Sequence, residues 1–505
     1  MNLMILPLLL LAQAAADSQP NMILFIVDDL GWQDTSVPFH TAVTEFNERY
    51  HTPNLERLAA SGVKFTNAYA SAPVCTPTRT SIMTGMSPGQ SRITYWTLRK
   101  DTDTSRNRDL VKAPPWNMNG LQEDDVTLPS LLADAGYRTI HVGKAHFGAH
   151  GTSGSDPLKL GFDVNIAGHG SGAPSSYLGV HHFSRSGRDG EPGKSSAIWD
   201  VPGLEKYHGK DIYLTEALAI EATRQIEDAI DSGVPFFMNM APYAVHTPIM
   251  PNHRHLDRYE DLDSREAAYA TMIESYDEAL GEILKVLESR GTLENTMIIF
   301  TSDNGGLSAH ARGGPPHVHN APLRSGKGSA YEGGTRVPTI IAWPARIPGG
   351  TVCHDPIVSQ DFFPTLMEVS ATPIPEGHVS RVEGISLVPL LGGNSPLPRP
   401  ICWNQPHQWG ASGPGIEPFT SIRLGDHKLI YFHAGRNFEL YDLGSDPSES
   451  KDMARTKPEV TLELAGAMAD WCRNRQVQLS LDKETGMQVE DPLSAATRWL
   501  EQPND

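Results

Sequence analysis

The chain has 505 residues, with 41 Lys and Arg against 60 Asp and Glu and a formal charge of −19. That balance excludes non-specific nucleic-acid binding and docking on anionic membranes, so an anionic ligand must be caught by a local cationic pocket. At 39% hydrophobic and 20% charged residues, the composition is that of a soluble globular protein of one large domain with an appendage, or of two to three smaller ones.

The N-terminus, MNLMILPLLLLAQAAADSQP, carries an apolar stretch from Leu3 to Leu11 that is too short to span a bilayer. Small residues follow at Ala12, Ala14, Ala15 and Ala16, although no basic residue precedes the apolar core. Residues 1–16 read as a secretory signal peptide cleaved near Ala14 or Ala16, which predicts a secreted or periplasmic protein. No later run is long and apolar enough for membrane insertion.

Short apolar runs then alternate with helical patterns, the signature of parallel βαβ units. MILFIV (22–27) reads as a buried strand, and TPNLERLAASG as a helix with Thr52 as cap, Pro53 at its first position and Gly62 as stop. TLPSLLADAG repeats the device with Thr127 and Gly136 and leads into the strand YRTIHV (137–142). The helical stretch 212–231 precedes the strand FFMNM (236–240). A helix over 264–290, with Met272, Tyr276, Leu280, Leu284 and Leu287 on one face, ends at Gly291 before the strand TMIIFTS (296–302). The stretches 99–120 and 148–196 read as long surface loops. GGNSPLPRP, from about 392, marks a break. Beyond it, ICWNQ, FTSIRLG, HKLIYFHA and a helix around 457–475 predict a small antiparallel subdomain.

Each of the four strands delivers polar residues at its carboxyl end, where open α/β sheets bind ligands. These are Asp28 and Asp29, then Lys144 and His146, then His246, then Asp303 and Asn304. Read alone, Asp28–Asp29 is equally a turn or a helix cap. Together with Asp303–Asn304 it forms a hard oxygen set suited to calcium or magnesium rather than zinc. A lone Lys or His on a loop is most often a solvated group, and so read alone is Lys327, among the glycines of LRSGKG. The four cysteines, Cys75, Cys353, Cys402 and Cys472, contain no C-x-x-C pair. If Cys75 is chemically committed, at most one disulfide can form among the others.

CTPTR followed by TSIMTG resembles the signature C-x-P-S-R-x-x-x-x-T-G of the type I, formylglycine-dependent sulfatases, with Thr78 in place of the usual serine. ILFIVDDLGWQD, GYRTIHVGKAHFG, PYAVHTPIMP, IIFTSDNGG, LRSGKG, YEGGTRVPTIIAWP and LYDLGSDPSESKDMA also resemble sulfatase blocks, in the family's order, over about residues 22 to 455.

The resemblance implies an alkaline-phosphatase-like α/β fold: a large mixed sheet flanked by helices in a catalytic domain (17–391), and a smaller C-terminal α+β subdomain (392–505). It implies oxidation of Cys75 to formylglycine by a maturation enzyme, and one calcium ion held by Asp28, Asp29, Asp303 and Asn304 with position 75. In the family, the aldehyde hydrates to a diol that attacks sulfur with one hydroxyl and expels sulfate through the other. The implied roles are Arg79 holding the diol, Lys144 neutralising the sulfuryl oxygens, and His146 as base for sulfate release. His246 and Lys327 are implied to act on the leaving alcohol. The expected substrate is a sulfated carbohydrate or an aryl sulfate. His169, Arg312, His317 and His407 are candidate sugar contacts, each also readable as an ordinary loop residue. The rival readings are a phosphodiesterase or phosphonate hydrolase of the same superfamily, and a non-catalytic binder of sulfated glycans.

Overall fold

The computed structural model describes residues 19–106, 110–185, 197–395 and 398–503; the segment 1–16 expected to be a signal peptide lies outside them. An eight-stranded sheet is built from β1 (Asn21–Val27), β2 (Gly62–Phe65), β3 (Arg138–Gly143), β4 (Val164–Ile166), β5 (Phe236–Ala241), β6 (Thr296–Ser302), β7 (Thr339–Ala342) and β8 (Thr351–Cys353). The strand order is β8-β2-β7-β6-β1-β5-β3-β4. Only β7 runs against its neighbours β2 and β6; the other pairs are parallel. The sheet is therefore mixed, where alternating units alone predict an all-parallel one.

Central β1 is apolar from Met22 to Val27 because it is covered on both faces. Ile23, Phe25 and Val27 pack with Leu218 and Ile226 of helix Leu214–Asp231 and with Met272 and Leu280 of helix Ser264–Ser289. Met22, Leu24 and Ile26 point the other way, toward Ile82 and Met83 of helix Cys75–Thr84 and Leu366 of helix Phe362–Val369. The face predicted for 264–290 is buried, and Gly136 and Gly291 end their helices at positive φ.

Thr127 caps helix Leu128–Asp134 as predicted, accepting from the Ser130 amide. Thr52 does not cap helix Pro53–Ala60, because its hydroxyl bonds Ser36. Asp277 takes over, accepting from the Asn54 and Leu55 amides at 3.0 and 2.8 Å. The stretch 148–185 is also no plain surface loop: it contains β4, and Gly168–Ser171 are buried against the site. The predicted loop residues 107–109 and 186–196 lie outside the described residues.

The C-terminal sheet runs β9 (Ile401–Gln405), β10 (Phe419–Leu424), β11 (His427–Phe432) and β12 (Asn437–Asp442), all antiparallel. Helices Pro458–Asn474 and Pro492–Glu501 cover one face through Leu464, Met468 and Ala495. The other face packs Trp403, Ile430 and Phe432 against Tyr69, Tyr331 and Val358 of the main body. All four cysteines are free thiols. No helix among the described residues is long and apolar enough to cross a membrane.

Candidate active site

The polar residues at the ends of β1, β3, β5 and β6 do converge. They gather at a cleft of about 890 Å³ whose lining includes Cys75, Asp29, His146, His246 and Lys327, with Asp28, Lys144, Asp303 and Asn304 fully buried. Cys75 is the first residue of its helix, behind the extended Val74, and no side chain caps that end. The first-turn amides therefore place positive potential at position 75. Pro77 fits this first turn, where its missing N–H goes unused. Thr78 keeps what a serine would offer: its hydroxyl accepts from the Ala72 amide at 3.1 Å and donates to the Ala72 carbonyl at 3.2 Å.

Three carboxylates here face three cations. Lys144 Nζ lies 2.7 and 2.8 Å from the two Asp28 oxygens, and Lys327 Nζ lies 2.6 and 2.8 Å from those of Asp29. Arg79 donates from Nε to Asp303 at 2.7 Å and from Nη1 to the Lys144 carbonyl at 2.8 Å. Its Nη2, 3.9 Å from Asp28, makes no hydrogen bond. Burial pushes the Asp28 carboxyl up despite Lys144. Burial acts on Asp303 too, but Arg79 and Lys144 outweigh it and hold that carboxyl down. Lys327 stays strongly protonated, since Asp29 overcomes the penalty of burial.

A cation fits among these acids. Asn304 donates from Nδ2 to Asp29 at 2.8 Å, while its Oδ1 is buried without a partner. The Asp29 amide donates to Asp303 at 3.2 Å, which ties the two loops together. An orphaned amide oxygen beside three carboxylates is a hard donor set, suited to calcium or magnesium. Oxygens of Asp28 and Asp29 and a ring nitrogen of His246 also lie within 4.8 Å of one another. The nearest nitrogen is Nε2, 3.7 Å from Asp29.

Hydrogen-bond partners fix both histidine tautomers. His146 Nε2 is 2.9 Å from the Thr97 carbonyl, which only accepts, so Nε2 carries the proton. Nδ1 is left as a buried, unpartnered lone pair, and burial with Lys144 holds the ring neutral. His246 donates from Nδ1 to the Thr247 carbonyl at 2.9 Å, which leaves Nε2 toward the cleft. Burial, with Lys327 next, lowers its pKa to about 3. Asp29 and His146 both adopt positive φ, 61° and 53°, strain of about 1–3 kcal/mol each that accumulates at working sites.

The four candidate sugar contacts are not in the cleft lining. Arg312 is buried in a structural network, 3.0 Å from both Asp34 and Glu266 and over the Tyr269 ring. His407 is buried behind the wall, bonded to Thr94 at 2.8 Å and stacked on Tyr95. His169 supports His146 from behind through its carbonyl, at 3.1 Å. His317 packs against Gly413, and its backbone amide is held by Ser308. The rim is instead formed by Trp96, Arg106, Trp199, His310 and Trp409, which sequence reading passed over. WNQPHQWG contains the wall tryptophan, but nothing in the spacing tells Trp409 from His407.

The family model "Sulfatase" matches residues 20–371, and "N-sulphoglucosamine sulphohydrolase, C-terminal" matches 326–472. The chain belongs to the sulfatase family. It is a sulfuric ester hydrolase, 30% identical to a sulfatase of Formosa agariphila over 92% of this chain and 90% of that one. It is 28% identical to human arylsulfatase A over 90% and 88% of the two chains, and 29% identical to the dog N-acetylgalactosamine-6-sulfatase over 86% and 76%. At the level of fold it matches Ps i-CgsB in complex with k-i-k-neocarrahexaose, with a TM-score of 0.72, 24% identity, and 96% and 98% of the chains covered. It also matches BT4656 in complex with its substrate D-glucosamine-2-N,6-O-disulfate, with a TM-score of 0.63, 19% identity, and 91% and 98% covered.

Proposed function

We propose that this sulfatase is an exported, calcium-dependent enzyme that removes sulfate from a carbohydrate through a formylglycine made from Cys75 by a maturation enzyme. The observation that carries this reading is the placement of Cys75: an uncapped helix start on the cleft floor, sharing that lining with Asp29, His146 and Lys327. A disulfide role is not available to a free thiol opening onto a charged cleft. Relatives named for N-acetylgalactosamine 6-sulfate chemistry and fold neighbours solved with sugars support a carbohydrate substrate.

Asp28, Asp29, Asp303 and Asn304 would hold calcium, whose charge would add to that of Arg79, Lys144 and Lys327 and draw in a sulfate group. Hydrated formylglycine supplies a hydroxyl that can take up the sulfuryl group and a second that lets it leave. The chain's own residues do the rest. Arg79 is held by Asp303 and the Lys144 carbonyl, and its Nη2, without a hydrogen bond, is the donor left for the diol at position 75. His146, protonated on Nε2, offers Nδ1 as the base that accepts a proton for sulfate release. Lys327, cationic and paired with Asp29, is the proton donor for the departing alcohol. The neutral His246 offers only a lone pair at Nε2, so it orients the leaving group by accepting a hydrogen bond while Lys327 supplies the proton.

Peptide mass spectrometry of protein matured with a formylglycine-generating enzyme is expected to show the Cys75 CH₂SH converted to CHO, in proportion to activity on nitrophenyl sulfate. Full activity with thiol alone at position 75 would overturn the mechanism. Faster turnover of nitrophenyl phosphate than of the sulfate would favour the phosphodiesterase reading.

A further inference from the structure

We infer that Arg106, with Trp409 beside it, forms a subsite for a second anionic group, a sulfate or carboxylate, on the sugar ring next to the one that loses its sulfate. This rests on the carbohydrate-sulfatase reading and names a narrower class within it. The cleft of about 890 Å³ lies at the upper end of what a small ligand fills, so one sugar ring does not fill it. Its lining includes three tryptophans, Trp96, Trp199 and Trp409, all half-buried. Flat aromatic faces suit the apolar C–H face of a sugar ring.

Trp409 is held close to the catalytic floor. A Cβ on Gly328, the residue after Lys327, would lie 2.4 Å from the Trp409 ring, so only glycine lets the indole lie there. Lys327 Nζ sits 6.0 Å from the ring centroid. A sugar on this face would therefore be the immediate neighbour of the leaving group.

Arg106 lines the same cleft beside the Trp409 loop. Its carbonyl accepts from the Gln408 amide at 3.3 Å, which ties its segment to the Trp409 loop. A Cβ on Gly410 would lie 3.8 Å from Nε and 3.9 Å from Cζ, so the guanidinium rests over Gly410. Arg106 has no ion-pair partner among the described residues, whereas Arg79 and Arg312 on the inner side are both paired. An exposed guanidinium with no ion-pair partner among the described residues, over a ligand cleft in a chain of net charge −19, is a local trap for an anion.

The test uses matured enzyme and competitive inhibition of nitrophenyl sulfate hydrolysis by matched disaccharides. Each sulfated disaccharide is compared with partners carrying a second sulfate, a uronate carboxylate, or neither on the adjacent ring. In the wild type, a second anion is expected to lower Ki about tenfold or more. That ratio is expected to fall to about one in Arg106→Ala and to recover in part in Arg106→Lys. The sulfate and carboxylate arms tell which anion is read. No effect of a second anion in the wild type, or an undiminished ratio in Arg106→Ala, overturns the subsite. Absence of nitrophenyl sulfate hydrolysis by the matured wild type would instead overturn the functional reading beneath it.

Discussion

Gly172 leaves the His146 ring space that a methyl group would fill: a Cβ there would lie 2.4 Å from Cε1 and 2.6 Å from Nδ1. The glycine thus keeps open the one atom of His146 that can accept a proton. Gly172→Ala is expected to lower kcat about 10²-fold by displacing or covering that nitrogen, with little change in melting temperature. In a His146→Ala background the same substitution should cost almost nothing more, because the two act through one ring. A single mutant with wild-type kcat would show that Nδ1 is not the working base. Asp303 tests the other half of the site. Asp303→Ala removes a carboxylate and leaves Arg79 Nε unpaired, so calcium affinity by titration calorimetry and kcat/KM should fall together. Loss of activity at unchanged affinity would assign Asp303 to holding Arg79 alone.

At the level of elements, the two parts of the chain are joined by a buried ionic cluster. Lys428 on β11 lies 3.0 Å from Glu332 and 3.0 Å from Glu449, and Glu449 accepts from the Glu332 amide at 2.6 Å. The turn Glu332–Thr335 in turn supports the loop after β6: the Gly305 amide donates to the Gly334 carbonyl at 2.9 Å. A Cβ on Gly305 would strike the Gly333 carbonyl. Burial, with Glu332 adding to it, raises Glu449 to about 7, whereas Lys428 and Arg336 overcome burial to hold Glu332 at about 2. Glu449 therefore contributes stability below its unfolded pKa that is lost as pH rises through about 7. Glu332 contributes above its own, and that is lost as pH falls toward 2. Lys428→Met strands both carboxyls and is expected to cost about 3–5 kcal/mol, more at pH 8 than at pH 5 in urea unfolding. An equal loss at both values would place the proton elsewhere. The elements that sequence reading found are the long central ones: β1, β3, β5 and β6 span six or seven residues and are bounded by helices with visible starts and stops. Those it missed, β2, β4, β7 and β8, span three or four residues. Their pairing is set by neighbours rather than by pattern, and the reversal of β7 leaves no local trace. The catalytic floor was legible because it sits at the ends of the long strands. The rim was not, because loops from around 96–106 and 409–412 meet only in the folded chain.

For the molecule as a whole, the proposed calcium site is a long-range clasp. It draws together the loop after β1 and the loop after β6, with Asp29 and Asp303 bonded across 274 residues. Lys327 reaches in from a third segment to Asp29, and its own amide is fixed by the Gly306 carbonyl at 3.1 Å. Three carboxylates can be balanced by three cations without a metal, so the folded chain should survive calcium removal. It should nevertheless be less stable, because a ligand that binds only the folded state adds about 2.7 kcal/mol at a hundredfold excess over Kd. Dialysis against a chelator should therefore lower the melting temperature and abolish activity. Added calcium should restore both, with the melting temperature rising logarithmically with its concentration. Magnesium should restore less, because it demands octahedral geometry and gives up its waters reluctantly. Asp303→Ala should flatten that calcium dependence, and it should also lower the chelated melting temperature, because it leaves the buried Arg79 without its carboxylate. A melting temperature that is the same with chelator and with millimolar calcium, in protein confirmed to be metal-free at the start, would remove calcium from the site.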